Sequence, residues 1–512
     1  MTFLEALSAG FTLVAQWESL FFLALGVLIG VIAGAIPGMS ATMAVALTLP
    51  FTFALQPIFG ILLLLGVYKG GIFGGSIPAI LIKTPGTPAS SATALDGYPM
   101  AEQGRAGEAL SMSLYASCIA DLMSNLALIV FAAWLASFAL NFGPPEMFTL
   151  IVFSLTIIAG VSGDSLVKGI IAATLGLLLA TIGLDFIGGT ERFTFGSVDM
   201  RGGLNFVAVL IGLFALPEII AYIRNPQAKE HRVRGMGYSR LKWVDFRRSL
   251  KSIFRGSAIG VFLGAIPGIG AAPSAFLSYS EARRASPNRE NFGKGEVEGV
   301  AAAEAGNNGV AGATLIPLLS LGIPGDVITA IIIGAFMVHN LTPGPLLFVN
   351  NADIVYALFI GLIASSFLLL IIGAVAIRAF RYIADVPSDL LFPGVLVLCI
   401  FGVYAINNSI FDVAVMLVMG GIGYAMLLLR FPAAPFLIAF ILGPMLENSF
   451  RQALLMSRGS LEIFARGPIT ILFWCLTVIS VVMIIRSTMR AARIKRDAAR
   501  SASRVAATQS KE

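Results

Sequence analysis

Five residues, Gly-Ala-Ile-Pro-Gly, occur twice in this chain, at 34–38 and again at 264–268. Both copies interrupt apolar sequence. Proline has no amide hydrogen and clashes with the preceding helical turn, while glycine turns the chain at little steric cost. A helix that enters either copy must therefore stop or kink. Each copy also has an echo further on. Residues 71–76 (GIFGGS) lead to Thr84-Pro85-Gly86, and residues 309–314 (GVAGAT) lead to Ile323-Pro324-Gly325. Paired Gly/Pro breaks in two halves of an apolar chain are the pattern of discontinuous membrane helices around a transport site.

Composition agrees. Of 512 residues, 57% are hydrophobic and 12% charged, with a mean hydropathy of +0.89. Soluble chains carry about 25% charged residues. The chain reads as an all-α integral membrane protein, because the alternating short segments of a β-barrel are not visible. Residues 1–19 contain Glu5 and Glu18 but no Lys or Arg, so no cleaved signal is expected. Cys118, Cys399 and Cys475 are isolated in apolar runs and show neither disulfide nor metal spacing. Two histidines, His231 and His339, are too few for a histidine-based metal site.

Apolar runs long enough to span lie near 20–36, 57–82, 112–140, 146–161, 166–187 and 204–223. Others lie near 256–280, 308–322, 327–348, 353–377, 388–406, 410–429, 432–446 and 468–485. Several are short or broken, so hydropathy supports about 10–12 crossings. The net charge of +6 is a topology signal and does not suggest nucleic-acid binding. Residues 224–255 hold ten Lys or Arg against Glu230 and Asp245, and the tail from Arg486 holds eight. No basic residue precedes Lys69. The excess of Lys and Arg on the cytoplasmic side predicts that loop and tail inside and the N-terminus outside. A lipid- or nucleotide-binding patch is the other use of such a loop. The two Gly-Ala-Ile-Pro-Gly copies then start on opposite sides, as in two inverted-topology repeats with broken or re-entrant helices near the midplane. The expected divisions are a first repeat (1–223), a basic cytoplasmic loop (224–255) and a second repeat (256–446). A final loop and helix (447–485) and a basic tail (486–512) complete the chain.

The breaks supply the candidate chemistry. At the first pair, Pro37, Gly38, Ser40 and Thr42 stand opposite Gly268 and Gly270. At the second pair, Thr84, Pro85, Gly86 and Thr87 stand opposite Pro324 and Gly325. Helix N-termini expose unpaired N–H groups and a positive dipole end, which suit carboxylates. The competing reading is a kinked packing motif, or an ordinary loop at 83–98. Charges at membrane depth are costly and mark function. Lys69 lies mid-segment beside glycines and is the best cation for a substrate carboxylate. Asn307 and Asn308 offer amides in the other half. Asp121 and Asn125 share a helix face. Lys83 ends its segment and could snorkel to the interface. Ser90, Ser91, Thr93, Asp96, Glu304 and Asp326 are candidates for coupling to an ion. Asp326, after the second Pro-Gly, is expected either to bind a cation or to cap its own helix.

The stretches GAIPGMSATMAVALTLPFTF (34–53), YKGGIFGGSIPAILIKTPGTPASSATALDGYPMAEQGRAGEAL (68–110), GAIPGIGAAPSAFLSYSEARR (264–284) and EAGNNGVAGATLIPLLSLGIPGD (304–326) resemble the large membrane subunit of the tripartite tricarboxylate transporters. The resemblance covers nearly the whole chain. It implies a bacterial inner-membrane permease that takes up citrate or related carboxylates on an ion gradient, sodium or proton. It implies two partners, a small four-helix membrane subunit and a periplasmic solute-binding protein. No G-x-x-x-x-G-K-[S/T] loop is present, so the energy must come from a gradient or another chain. No catalytic triad, metal cluster or cofactor motif is expected. A passive organic-anion channel and an intramembrane hydrolase are the alternatives.

Overall fold

Both Gly-Ala-Ile-Pro-Gly copies break a helix in the computed structural model, and with matching backbones. The structure describes residues 3–161, 165–185, 187–224, 239–384, 388–486 and 489. The chain runs α1 (Phe3–Val14), α2 (Trp17–Ala35), α3 (Ala41–Thr48), α4 (Pro57–Gly74), α5 (Ser76–Ile82), α6 (Ser90–Glu102) and α7 (Ala106–Ala139). It continues through α8 (Pro144–Val161), α9 (Leu166–Ala180) and α10 (Phe206–Arg224). Next come α11 (Trp243–Gly264), α12 (Ala271–Ala285), α13 (Val297–Ala313), α14 (Leu315–Leu321), α15 (Val327–Val338) and α16 (Pro345–Asn350). Last are α17 (Ala352–Ala384), α18 (Ser388–Asn407), α19 (Ile410–Leu428), α20 (Ala433–Met456) and a helix over Pro468–Arg486. Strand among the described residues is one two-residue antiparallel pair, Gly183–Leu184 with Glu191–Arg192.

The order α2-α3-α4-α5-α6 recurs as α11-α12-α13-α14-α15. Gly38 and Gly268 close the first break of each half at φ 89° and 87°. Lys83 and Gly322 end α5 and α14 left-handed, at φ 58° and 72°. The next residue then donates back in both halves, Thr84 N–H to Pro78 O at 3.3 Å and Ile323 N–H to Pro317 O at 3.2 Å.

Seven helices among the described residues are long and apolar enough to cross a membrane, and shorter apolar helices add to them. This is a multi-pass, all-α membrane protein. Several boundaries differ from the sequence expectation. Residues 243–255, expected in the basic loop, form the first turns of α11; residues 225–238 and 490–512 lie outside the described residues. The run expected at 256–280 is two helices parted by 265–270. The run expected from 308 begins at Val297, because α13 buries every one of its residues, Glu304, Asn307 and Asn308 included. Hydropathy leaves Glu304 and Asn307 outside the apolar run, whereas here protein surrounds them.

Two compact units emerge. One comprises residues 1–141 with 182–433, the other 142–181 with 434–512. In the second, Gly176 lets α9 close on α20, where an added Cβ would sit 2.1 Å from Phe436 O. Phe148 there packs against Phe450 and Phe464, with ring centroids at 5.2 and 4.7 Å. In the first unit α2 and α4 meet along glycines spaced by four. A Cβ at Gly26, Gly30 or Gly34 would fall 2.2, 2.3 or 2.6 Å from a carbonyl oxygen of α4. Such ladders let backbones approach and replace an absent hydrophobic drive in lipid by van der Waals contact. The α11–α13 contact uses Gly256, Gly260 and Gly264 in the same way but is looser, at 2.9–3.0 Å.

Candidate functional site

Within each half the two breaks touch. In the first, a Cβ on Gly86 would lie 2.7 Å from Gly34 O, and Gly86 N–H donates to Gly75 O at 3.0 Å. In the second, Gly268 N–H donates directly to Gly325 O at 2.7 Å. In the second half a backbone donor at one break is thus met by the other, as an apolar surrounding demands.

The break residues are the accessible ones. Gly38 and Pro85 are exposed; Pro37, Ser40, Thr42, Thr84, Gly86, Thr87, Gly268 and Gly270 are half-buried. Ser40 caps α3, accepting from Met43 N–H at 3.1 Å. Its counterpart at the start of α12 is Gly270, which brings no side chain. Thr87 and Ser90 close the start of α6 on each other, each accepting from the other's N–H at 3.1–3.2 Å. Ser91 N–H reaches Pro88 O at 3.4 Å. Lys83 is exposed, with its ammonium 5.4 Å from the Tyr98 ring centre. Pro324 and Gly325 are buried. Asp326 caps its own helix, one of the two roles expected for it. Its carboxylate accepts from Thr329 N–H at 2.8 Å, Thr329 returns the bond to Asp326 N–H, and Tyr68 OH of the first half donates to Asp326 at 3.1 Å.

The deeper polar residues answer one another. The Lys69 ammonium pairs with Asp121 and donates to Asn125 Oδ1 at 2.9 Å. Asn125 and Ser366 hold the second Asp121 oxygen at 3.2 and 2.7 Å. Lys69 therefore faces α7 through an ion pair, and Ser366 of α17 holds its partner Asp121. Asp96 Oδ1 accepts three backbone N–H groups, from Gly293, Gly295 and Glu296 at 2.8–2.9 Å, and Tyr279 OH donates to Oδ2 at 2.8 Å. Beside that loop, burial pushes the Glu296 carboxyl above its ordinary range against the lowering effect of Arg248, 2.5 Å away. Glu304 accepts from Thr93, from Ser117 at 2.9 Å and from Asn308 at 3.3 Å. Asn307 is buried, and its amide nitrogen has no partner.

One carboxylate beside the first break escaped the sequence reading. Glu218 of α10 accepts from Ser40 Oγ at 2.9 Å, while its other oxygen is buried without a partner. The signal was an acid inside the apolar run 204–223, but it lies outside both repeated motifs.

A core of glycine-laddered helices, broken twice in each half at matched positions, is the setting in which the comparisons fall. The family model described as "Tripartite tricarboxylate transporter TctA family" matches residues 20–438. The chain belongs to that family. It is similar to an uncharacterized 52.8 kDa protein in the TAR-I ttuC' 3' region of Agrobacterium vitis, 38% identical over 499 residues, covering 97% of this chain and 99% of the relative. An uncharacterized protein in the TAR-II ttuC' 3' region of the same organism is 37% identical over 238 residues, 46% of this chain and 97% of that one. No solved structure matches the chain. Both Gly-Ala-Ile-Pro-Gly copies and both echoes fall inside the matched span, so membership covers the candidate site. The TctA family is a transporter family, and its tripartite systems include other subunits and a binding protein.

Proposed function

We propose that this chain takes up a carboxylate, a tricarboxylate such as citrate or a related organic acid, as the large permease subunit of a binding-protein-dependent secondary transporter. Its partners are a small four-helix membrane subunit and a periplasmic solute-binding protein, in a bacterial inner membrane. An ion gradient, sodium or proton, drives it. The observation that carries this reading is the twice-repeated pair of touching breaks, in a member of the TctA family. A di- or tri-anion needs its charge met, because an unpaired buried charge costs several kcal/mol or more. The exposed Gly38 and the half-buried Thr42 and Gly270 offer the accessible donors, since the N–H groups of Thr84, Gly86, Thr87 and Gly268 and the Ser40 hydroxyl are directed to Pro78, Gly75, Ser90, Gly325 and Glu218. Lys69 is committed to Asp121, so helix ends and backbone N–H groups carry most of that task.

We read the two halves as inverted repeats, residues 1–223 and 256–446, with the start of the chain outside and 224–255 and 486–512 inside. The recurring element order and the matched φ values at Gly38 and Gly268 support a repeat. The charge asymmetry supports the inversion. Reporter fusions test the orientation, and a cytoplasmic N-terminus removes the basis for inversion. Uptake of labelled citrate by cells supplying all three components tests the transport reading. It should collapse when ion gradients are dissipated at intact ATP; concentrative uptake that persists would refute it.

A further inference from the structure

Two buried carboxylates in the first unit lie within two hydrogen-bonded networks of different kinds. Asp96 is held by three backbone N–H groups and one phenol. Backbone N–H groups only donate, so they can face an acceptor but not a cation. Glu304, wholly buried, is held by side chains that can turn round. Thr93 and Ser117 donate hydroxyls to it, and Asn308 donates its amide. Ser76 and Ser113, both wholly buried, also face this carboxylate, and neither completes a hydrogen bond. No described Lys, Arg or His forms an ion pair with Glu304. A hydroxyl is both donor and acceptor, so each of the four can turn its oxygen toward a cation bound at Glu304.

We propose that Glu304, with the hydroxyls of Ser76, Thr93, Ser113 and Ser117, forms a binding site for one sodium ion. One carboxylate and four neutral oxygens suit a hard monovalent cation, and hydroxyls near broken membrane helices are a recurring sodium environment. The ion supplies the positive charge that a buried carboxylate lacks here. It also employs the two hydroxyls that have no other partner. The ligands come from α5, α6, α7 and α13, so the site joins the two halves. α5 and α6 flank the break at Thr84-Pro85-Gly86. Sodium bound at Glu304 would fix both sides of that break. That last link, from cation to carboxylate uptake, rests on the function proposed above; the binding of sodium does not.

The test is thermal unfolding of the purified full-length chain in lipid nanodiscs, with NaCl exchanged for choline chloride at constant ionic strength. A saturable rise in Tm with sodium is expected, with choline giving none. Glu304→Gln should remove the response. Ser113 makes no hydrogen bond here, so Ser113→Ala should fold normally and raise the half-saturating sodium concentration about tenfold, as for the loss of about 1.4 kcal/mol of binding. A wild-type Tm that ignores sodium would overturn the site, as would an unshifted midpoint in Ser113→Ala. A response to pH alone would also overturn it and make Glu304 a proton carrier. Citrate uptake is measured separately. Uptake without a sodium gradient, in a protein whose Tm still follows sodium, would sink sodium coupling and leave the site standing.

Discussion

The two halves share an order of elements and the φ values at their breaks, and they differ in side chains. Each breaks a helix at Pro-Gly, each closes a second break through a left-handed residue, and each brings its two breaks into contact. Yet where the first half has Lys69, near the end of α4, the second has Asn308 at the matching place in α13. The first reaches across to an ion pair with Asp121. The second donates an amide to Ser117 Oγ at 2.8 Å and to Glu304. At the second break of the first half Thr84 to Thr87 are half-buried or exposed; their counterparts Pro324 and Gly325 are buried, and Asp326 is locked in a capping box. A recurring element order thus leaves room for division of labour. The second half is built as an anchor, and the first keeps hydroxyls within reach of solvent.

The largest test of that asymmetry is Lys69→Met. It strands Asp121 without its cation, and removing one partner of a buried pair costs about 3–5 kcal/mol. Asn308→Ala removes neutral hydrogen bonds and should cost less, about 1–3 kcal/mol. Denaturation of both variants in one detergent checks this. Adding Asp121→Asn to Lys69→Met should recover much of the loss, which also separates a structural lysine from one that meets substrate. Equal costs for Lys69→Met and Asn308→Ala would break the comparison.

A smaller difference is expected in the helix ladders. A Cβ at Gly30 meets Val67 O at 2.3 Å, whereas one at Gly256 meets Ala302 O at 3.0 Å. Gly30→Ala should cost about 1–3 kcal/mol, as overpacking does, and Gly256→Ala clearly less. The same unfolding assay reads both, and the reverse order would show that the α2–α4 contact is not the tighter one.

The smallest expected contrast sharpens the shared part. Gly38→Ala and Gly268→Ala each force a side chain into left-handed backbone, at about 1–2 kcal/mol. The added Cβ at Gly38 meets its nearest atom, in the Phe392 ring, only at 3.9 Å, so the backbone penalty dominates there. The two losses in Tm should match. A large difference would show that the repeat is less regular than its φ values.

The sequence alone determined the class, the break positions and the family resemblance. Those signals are local or compositional: a proline has no N–H wherever it stands, and a chain with this little charge belongs in lipid. Helix ends followed where hydropathy changed for the same reason, and failed at α13. Hydropathy started that run at 308 and missed the helix back to Val297, because a window cannot tell lipid from surrounding protein. The pairing of charges was decided by tertiary structure. Asp121 lies 52 residues from Lys69, Glu218 lies 178 from Ser40, and Glu304 lies 211 from Thr93. No spacing rule links such positions. Only packing brings them together, and packing is what decides whether a buried carboxylate is tied down by fixed N–H groups, as Asp96 is, or ringed by hydroxyls that can turn, as Glu304 is.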